Sequence, residues 1–138
     1  MKKMLFFLIS FIAVSAGCKK AHQDCDKFPE NPPEGLVQWN MSSVEGPTLS
    51  LVNQALTLEV TYPASNGCDY VSKFVTAECS STNILVKAYG NTIQDSPCTQ
   101  AAVPKKINFE FTPEVKGKFV FEFISRDNSI FYHIITIN

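Results

Sequence analysis

Strict alternation of apolar and polar residues is the feature that most constrains the fold of this 138-residue chain. Apolar side chains occupy every second position in several separate runs, and a period of two places them on one face of a β-strand. No stretch shows the spacing of an amphipathic helix. The pattern therefore predicts an all-β domain. The clearest runs are residues 56–62 and 107–111, and residues 84–88 and 119–123 also carry apolar side chains at every second position, with Leu85 and Val120 on the opposite face.

Turn signals such as Ser65-Asn66-Gly67 and Arg126-Asp127-Asn128 separate these runs and set the expected strand boundaries. Seven or eight short strands in about 100 residues predict a sandwich or a barrel. A sandwich is favoured because each regular strand has one apolar face and the inner layer is rich in Phe. The predicted strands lie near 36–40, 48–52, 55–62, 69–78, 83–90, 106–112, 117–125 and 129–138.

One short segment carries a family resemblance. Residues 111–121 (FTPEVKGKFVF) look like the corner before the penultimate strand of bacterial immunoglobulin-like modules, where a Thr-Pro turn, a Gly and an aromatic residue lead into that strand. The resemblance implies an immunoglobulin-like antiparallel β-sandwich over residues 35–138. Phe119 stands where the modules usually carry Tyr, so the hydroxyl hydrogen bond of a tyrosine corner cannot form. A fold resemblance implies nothing specific about activity.

The N-terminus has the form of a secretory signal peptide: Met1-Lys2-Lys3, then an apolar run of 11 residues at 4–14. That run is shorter than the about 20 residues of a transmembrane helix. Val14-Ser15-Ala16-Gly17-Cys18 resembles the lipobox of bacterial, Bacteroidetes-like lipoproteins, with Ser15 in place of the preferred Leu. The resemblance implies that residues 1–17 are removed and that Cys18 is lipidated. The alternative is an ordinary cleaved signal and a chance cysteine.

Lipidation would anchor the chain to a membrane of the bacterial cell envelope, facing the periplasm or the cell exterior. Removal of residues 1–17 leaves 121 residues with ten basic and 13 acidic side chains, a net charge of −3. This balance gives no case for nucleic acid, which a basic patch would attract. Residues 18–34 then form the lipidated N-terminus and a polar, proline-containing tether, with residues 19–34 spanning about 50 Å at most.

The other four cysteines, in an exported chain, predict two disulfides with three possible connectivities. A strand over 69–78 would hold Cys68 and Cys79 too far apart to bond. If 69–78 and 83–90 form a hairpin, the chain returns towards Cys68 before it reaches Cys98. We therefore predict Cys68–Cys98, which leaves Cys25–Cys79 to clip the tether to the far end of the hairpin. The spacings match no zinc pattern, and we expect no metal and no cofactor.

The sequence contains no phosphate-binding loop and no nucleophile–base arrangement, so we predict that the protein is not an enzyme. Stacked aromatic rings on a sandwich can bind sugars, and the alternative is ordinary packing. The aromatic candidates for ligand contact are Trp39, Tyr70, Tyr89 and Tyr132.

The predicted function is a non-catalytic binding or assembly module for a protein or glycan ligand. The alternative is a protease inhibitor that presents the loops 63–68 and 91–104, stiffened by Cys68–Cys98. Residues 119–124 and 130–137 are apolar on both strand faces, which predicts that the outer face of their sheet is covered, by the N-terminal segment or by a partner.

Overall fold

The computed structural model describes residues 28, 32–93 and 97–138, and within these ranges the regular structure consists of nine β-strands and no helix. The all-β prediction is confirmed. The strand at Ser43–Glu45 was not predicted from the sequence, because three residues are too few to show a period of two. The strands are β1 (Val37–Gln38), β2 (Ser43–Glu45), β3 (Leu49–Ser50), β4 (Leu56–Ala64), β5 (Asp69–Ser80), β6 (Asn83–Thr92), β7 (Val103–Phe111), β8 (Gly117–Ile124) and β9 (Ile130–Ile137).

The strands form two sheets. Sheet A has the order β5-β6-β8-β9-β3, and β1 pairs with the end of β6 on the same side as β8. Sheet B has the order β2-β4-β7. The chain passes from sheet A to sheet B between β6 and β7 and returns to sheet A at β8. Residues 112–116, in the segment that resembles an immunoglobulin-like corner, make that return, and Gly117 has the positive φ of 144° there.

Two strand pairs depart from the predicted antiparallel arrangement. β6 and β8 pair in parallel, with Asn83 opposite Val120, and β3 and β9 pair in parallel, with Leu49 opposite Thr136. The first case has a topological reason. β7 runs back through the other sheet between β6 and β8, so β8 enters sheet A in the same direction as β6.

The alternating residues of both sheets meet in one hydrophobic core. Phe109 of β7 contacts Phe121 and Phe123 of β8 edge to face, at ring-centroid distances of 5.9 and 5.5 Å. This geometry is favourable for aromatic pairs. The burial pattern of β4 and β8 alternates as their sequences predict. Fully buried side chains of the core include Leu58, Val60, Val86, Phe119, Phe121, Phe123 and Ile135.

The outer face of sheet A has two unlike halves. One line of paired residues crosses it, from Ala77 through Leu85 and Glu122 to Tyr132. Ala77 is 5% exposed, whereas Tyr132 is 59% exposed. We call the part formed by β5 and β6 the covered half and the part formed by β8 and β9 the bare half.

Residues from the N-terminal side of β1 lie on the covered half. The ring of Phe28 lies 4.2 Å from Nζ of Lys87, a cation–π contact. Further along β6, Pro32 and Leu36 line one cleft together with Tyr89, which is 7% exposed. The bare half has no such cover in the described part of the chain, and Ile130 and Ile134 on β9 are 42% and 43% exposed.

Candidate functional site

A disulfide braces one end of the domain. Cys68 and Cys98 are bonded, with Cα atoms 5.4 Å apart, so the predicted pairing is confirmed. Two backbone hydrogen bonds continue the brace: Gly67 N–H donates to the Thr99 carbonyl at 3.0 Å, and Ile93 N–H donates to the Cys68 carbonyl at 3.1 Å. The turn before β5 and the segment after β6 are therefore held together.

The carboxylate of Asp69 organises the same end from inside. It is 1% exposed and accepts hydrogen bonds from Ser65 N–H at 2.6 Å, from Asn66 N–H at 3.2 Å and from the Thr92 hydroxyl at 2.6 Å. The Ser65 hydroxyl also donates to it. Burial alone would raise the pKa of Asp69, but these hydrogen bonds outweigh burial and lower it below its usual value. Because its oxygens are occupied by the protein, Asp69 stabilises the turn and offers little to a ligand.

Lys105 ties sheet B to this end. Its Nζ donates to the carbonyl oxygens of Gly67 at 2.7 Å and Asp69 at 2.6 Å. The ammonium therefore sits between the start of β7 and the turn before β5. Hydrogen bonds of this charged kind contribute more than neutral ones, so the loop end is rigid on both sheets.

Two clefts open beside β1 at the braced end, with volumes of about 230 and about 360 Å³. Both are lined by Val37, Gln38 and Arg126. Backbone N–H of Arg126 donates to the Trp39 carbonyl at 3.3 Å, and the Gln38 amide nitrogen donates to the Ile124 carbonyl at 2.9 Å. These contacts fix the segment after β8 against β1. The smaller cleft is also lined by Trp39, Asn40, Pro63, Ser65, Asp69 and Thr92, and the larger by Pro32, Leu36 and Tyr89.

Arg126 is the charged residue among the three that line both clefts. It is exposed, and its guanidinium has no ion-pair or hydrogen-bond partner among the described residues. A guanidinium offers five N–H donors in a planar arrangement that suits a carboxylate or another flat acceptor. The clefts therefore combine a guanidinium that has no partner in the described part of the chain with aromatic and apolar lining residues beside β1.

The four aromatic residues that the sequence predicts as ligand contacts lie in different parts of the structure. Trp39 is half-buried and lines the smaller cleft, and Tyr89 is buried and lines the larger one. Tyr70 lies opposite Asn91 at the same end of sheet A, with 37% of its surface exposed. Tyr132 lies on the bare half, away from the clefts. The four rings do not form a common exposed platform.

Trp39 is held mainly by packing. Its ring meets Tyr62 edge to face at 5.9 Å. Its Nε1 is buried and has no hydrogen-bond partner within the described ranges. Gly90 lies beneath the indole, because an added Cβ there would stand 2.8 Å from Nε1. The indole therefore closes the inner wall of the smaller cleft rather than presenting a flat exposed surface.

The remaining cysteines and one histidine lie outside the clefts or outside the described residues. Cys79 is disulfide-bonded, whereas Cys25, its predicted partner, and Cys18, the predicted lipidation site, lie outside the described residues. His133 is half-buried on β9, and its Nε2 lies 3.0 Å from the Pro47 carbonyl oxygen. In the part of the chain that the structure describes, no group of three or more His, Cys, Asp or Glu is placed to hold a metal ion. Nor do those residues include a helix long and apolar enough to cross a membrane.

Comparisons with protein families, with curated proteins and with solved structures found no match to this chain. Sequence analysis did not nominate Arg126, Gln38 or Asp69. The dense Ser, Asn and Asp content of 65–69 was a local signal for the Asp69 turn. Arg126 and Gln38 had no local signal, because their segments are brought together by the pairing of β1 with β6 and of β6 with β8.

Proposed function

We propose that this chain is an exported bacterial lipoprotein, anchored at Cys18, whose immunoglobulin-like domain over residues 35–138 is a non-catalytic binding or assembly module for a protein or glycan ligand. The anchor rests on the signal-like N-terminus and the lipobox resemblance. The immunoglobulin-like assignment is supported by two sheets that share one core and by residues 112–116, which join the sheets as the resembling corner does. The parallel pairing of β6 with β8 is the feature that departs from it.

The observation that carries the binding proposal is the pair of clefts around Arg126 at the braced end. The Cys68–Cys98 bond, the Asp69 turn and the Lys105 hydrogen bonds hold the walls in place before any ligand arrives. A site that is already ordered loses less conformational entropy on binding. The Arg126 guanidinium, which has no partner within the ranges that the structure describes, favours a ligand that carries a carboxylate or another anionic group, such as an acidic sugar or a peptide C-terminus.

A binding screen tests this site directly. Glycan arrays and peptide arrays are probed with the wild-type protein, with Arg126→Gln and with Lys116→Gln, an exposed cation in the turn before β8 at the other end of the domain. We expect an anionic ligand that loses affinity about 10-fold or more in Arg126→Gln and keeps it in Lys116→Gln. Equal binding by both variants would contradict the site.

The anchor has its own test. Metabolic labelling with a clickable fatty acid should mark the wild-type protein and not Cys18→Ala. The labelled protein should sediment with membranes. A wild-type protein that incorporates no lipid would leave the binding site intact and remove the anchor from the proposal.

A second function is favoured by one observation, the bracing of the loops. The Cys68–Cys98 bond joins the predicted inhibitory loops 63–68 and 91–104. A rigid loop is what a protease inhibitor needs, because the loop must occupy the active site with little loss of entropy. A panel of proteases would show inhibition by the wild type and its loss in the double variant Cys68→Ala/Cys98→Ala. Arg126→Gln should not affect inhibition unless Arg126 itself enters the protease.

A further inference from the structure

The bare half of the outer face of sheet A is an apolar surface without cover among the described residues. Its members lie on adjacent antiparallel strands, where Val120 stands opposite Ile134 and Ile124 opposite Ile130. Tyr132 lies between the two exposed isoleucines of β9. A contiguous exposed apolar patch on a small domain usually marks an interaction surface.

The position of Cys79 limits which face of the domain can turn towards the membrane. Cys79 lies two residues after Ala77 on β5, and it is disulfide-bonded. Since Cys68 bonds with Cys98, the chain's two remaining cysteines are Cys18 and Cys25. The predicted partner, Cys25, is seven residues from Cys18. A lipid at Cys18 would then lie within about 23 Å of Cys25 at 3.3 Å per residue, and within about 29 Å of Cys79 once the span of a disulfide is added.

The seven-residue tether between Cys18 and Cys25 is short compared with the thickness of the domain. Two packed sheets stand about 10 Å apart, and side chains extend beyond both outer faces. A tether leaving the outer face of sheet A would use nearly all of its length to pass round the edge strand β5 and let sheet B face the lipid. The anchor therefore favours orientations in which the outer face of sheet A is towards the membrane.

We infer that the bare half, formed by Val120, Ile124, Ile130, Tyr132 and Ile134, lies against the lipid surface to which the protein is anchored. Strand spacing supports the reach: β9 is three strands from β5, about 14 Å away. Tyr is suited to such a position, because its ring has an apolar body and a polar tip. Lys118, exposed on the same face of β8, adds a cation for anionic headgroups, whereas Glu122 opposes them. This inference rests on the proposed lipid anchor.

Fluorescence quenching by brominated lipid tests the orientation on the processed, lipidated protein. The protein is reconstituted into vesicles of phosphatidylethanolamine and phosphatidylglycerol, with plain or brominated acyl chains. Tyr132→Trp places a reporter on the bare half. Thr57→Trp places one on an exposed position of β4 in sheet B, and the wild type, with Trp39 alone, gives the baseline.

We expect brominated chains to reduce the added emission of Tyr132→Trp by about half, since apolar faces sit 5–10 Å into the headgroup boundary, and to leave that of Thr57→Trp unchanged. Addition of Ile134→Asp should remove the quenching while the protein remains on the vesicles. Equal quenching of the two reporters would overturn the inference. Tyr132→Trp emission that is shielded in a stable dimer without lipid would also overturn it, in favour of a second copy on this face.

The two proposals fail in different ways. If the wild-type protein does not float with vesicles, the anchor at Cys18 fails. If it floats and Tyr132→Trp is not quenched, the anchor stands and only the orientation is wrong.

Discussion

The two halves of the outer face of sheet A belong to one sheet and nevertheless have different environments. On the covered half, Tyr89 is 7% exposed, and residues from the N-terminal side of β1 lie beside it. On the bare half, Tyr132 is 59% exposed. The same residue type on the same face is thus structural in one place and available in the other. The comparison shows that apolar composition alone does not say whether a strand face is core or interface.

The largest loss of stability should come from substitution of Gly90 on β6, one of the two strands of the covered half. An added Cβ would overlap the Tyr70 carbonyl oxygen and stand 2.7 Å from the Val71 Cα, and backbone atoms cannot rotate away. We expect Gly90→Ala to lower the free energy of unfolding by about 3 kcal/mol or more. Gly35→Ala is the control: Gly35 has open space but a φ of 71°, which costs about 1 kcal/mol. Urea unfolding followed by Trp39 fluorescence measures both, and equal losses would mean that β5 and β6 separate easily.

The tyrosine pair tests the comparison itself. Tyr89→Ala should lower the free energy of unfolding by about 3 kcal/mol, because it removes a buried ring. Tyr132→Ala should change it by no more than about 0.5 kcal/mol in the absence of lipid, since most of that side chain is already in water. The same urea experiment applies. Similar losses would show that the bare half is packed in solution and would break the distinction between the halves.

The contribution of Asp69, at the braced end, to the free energy of unfolding should depend on pH. Its folded pKa is lowered, so its contribution to stability is complete above the ordinary pKa of 3.8 and is lost as pH falls through the folded value. We expect Asp69→Asn to cost about 2 kcal/mol at pH 7, because hydrogen bonds to a charged group are lost. The difference from wild type should shrink below about pH 4. Glu110→Gln, on an exposed position of β7, is the control. A pH-independent difference would show that Asp69 acts through shape alone.

The smallest expected change in stability concerns the contact between Phe28 and Lys87 on the covered half. Lys87→Gln removes the cation–π contact with Phe28 and should cost about 0.5–1 kcal/mol. Lys73→Gln, an exposed lysine on the same face of β5, should change stability less. Urea unfolding in replicate resolves such differences. Indistinguishable variants would mean that the contact with Phe28 contributes little and that the cover depends on other links.

Much of the fold could be predicted from the sequence where the signal is local. Regular alternation predicted β4 and β8, and the hairpin argument predicted Cys68–Cys98. The apolar runs at 119–124 and 130–137 predicted that the outer face of their sheet is covered. The structure places the described cover on β6 instead, because a strand pattern does not contain information about where another segment lies.

The site was less predictable, because it depends on contacts between distant segments. Trp39 and Tyr89 were nominated for sugar binding, yet both rings lie largely inside the packing that frames the clefts. Arg126 was recognised only as part of a turn. It meets Gln38 through the pairing of β1 with β6 and the parallel entry of β8, and neither pairing follows from residue periodicity.

The parallel pairing of β6 with β8 has a consequence for the order of folding. β5 and β6 form one hairpin and β8 and β9 another, and hairpins of this kind form from local contacts within about 1–10 μs. Asn83 and Val120 lie far apart in the chain, so joining the two hairpins requires a long-range closure, and we expect it to be slower than the formation of either hairpin. The covered half belongs to the first hairpin and the bare half to the second. We therefore expect the boundary between the two halves, where β6 pairs with β8, to form after the two hairpins.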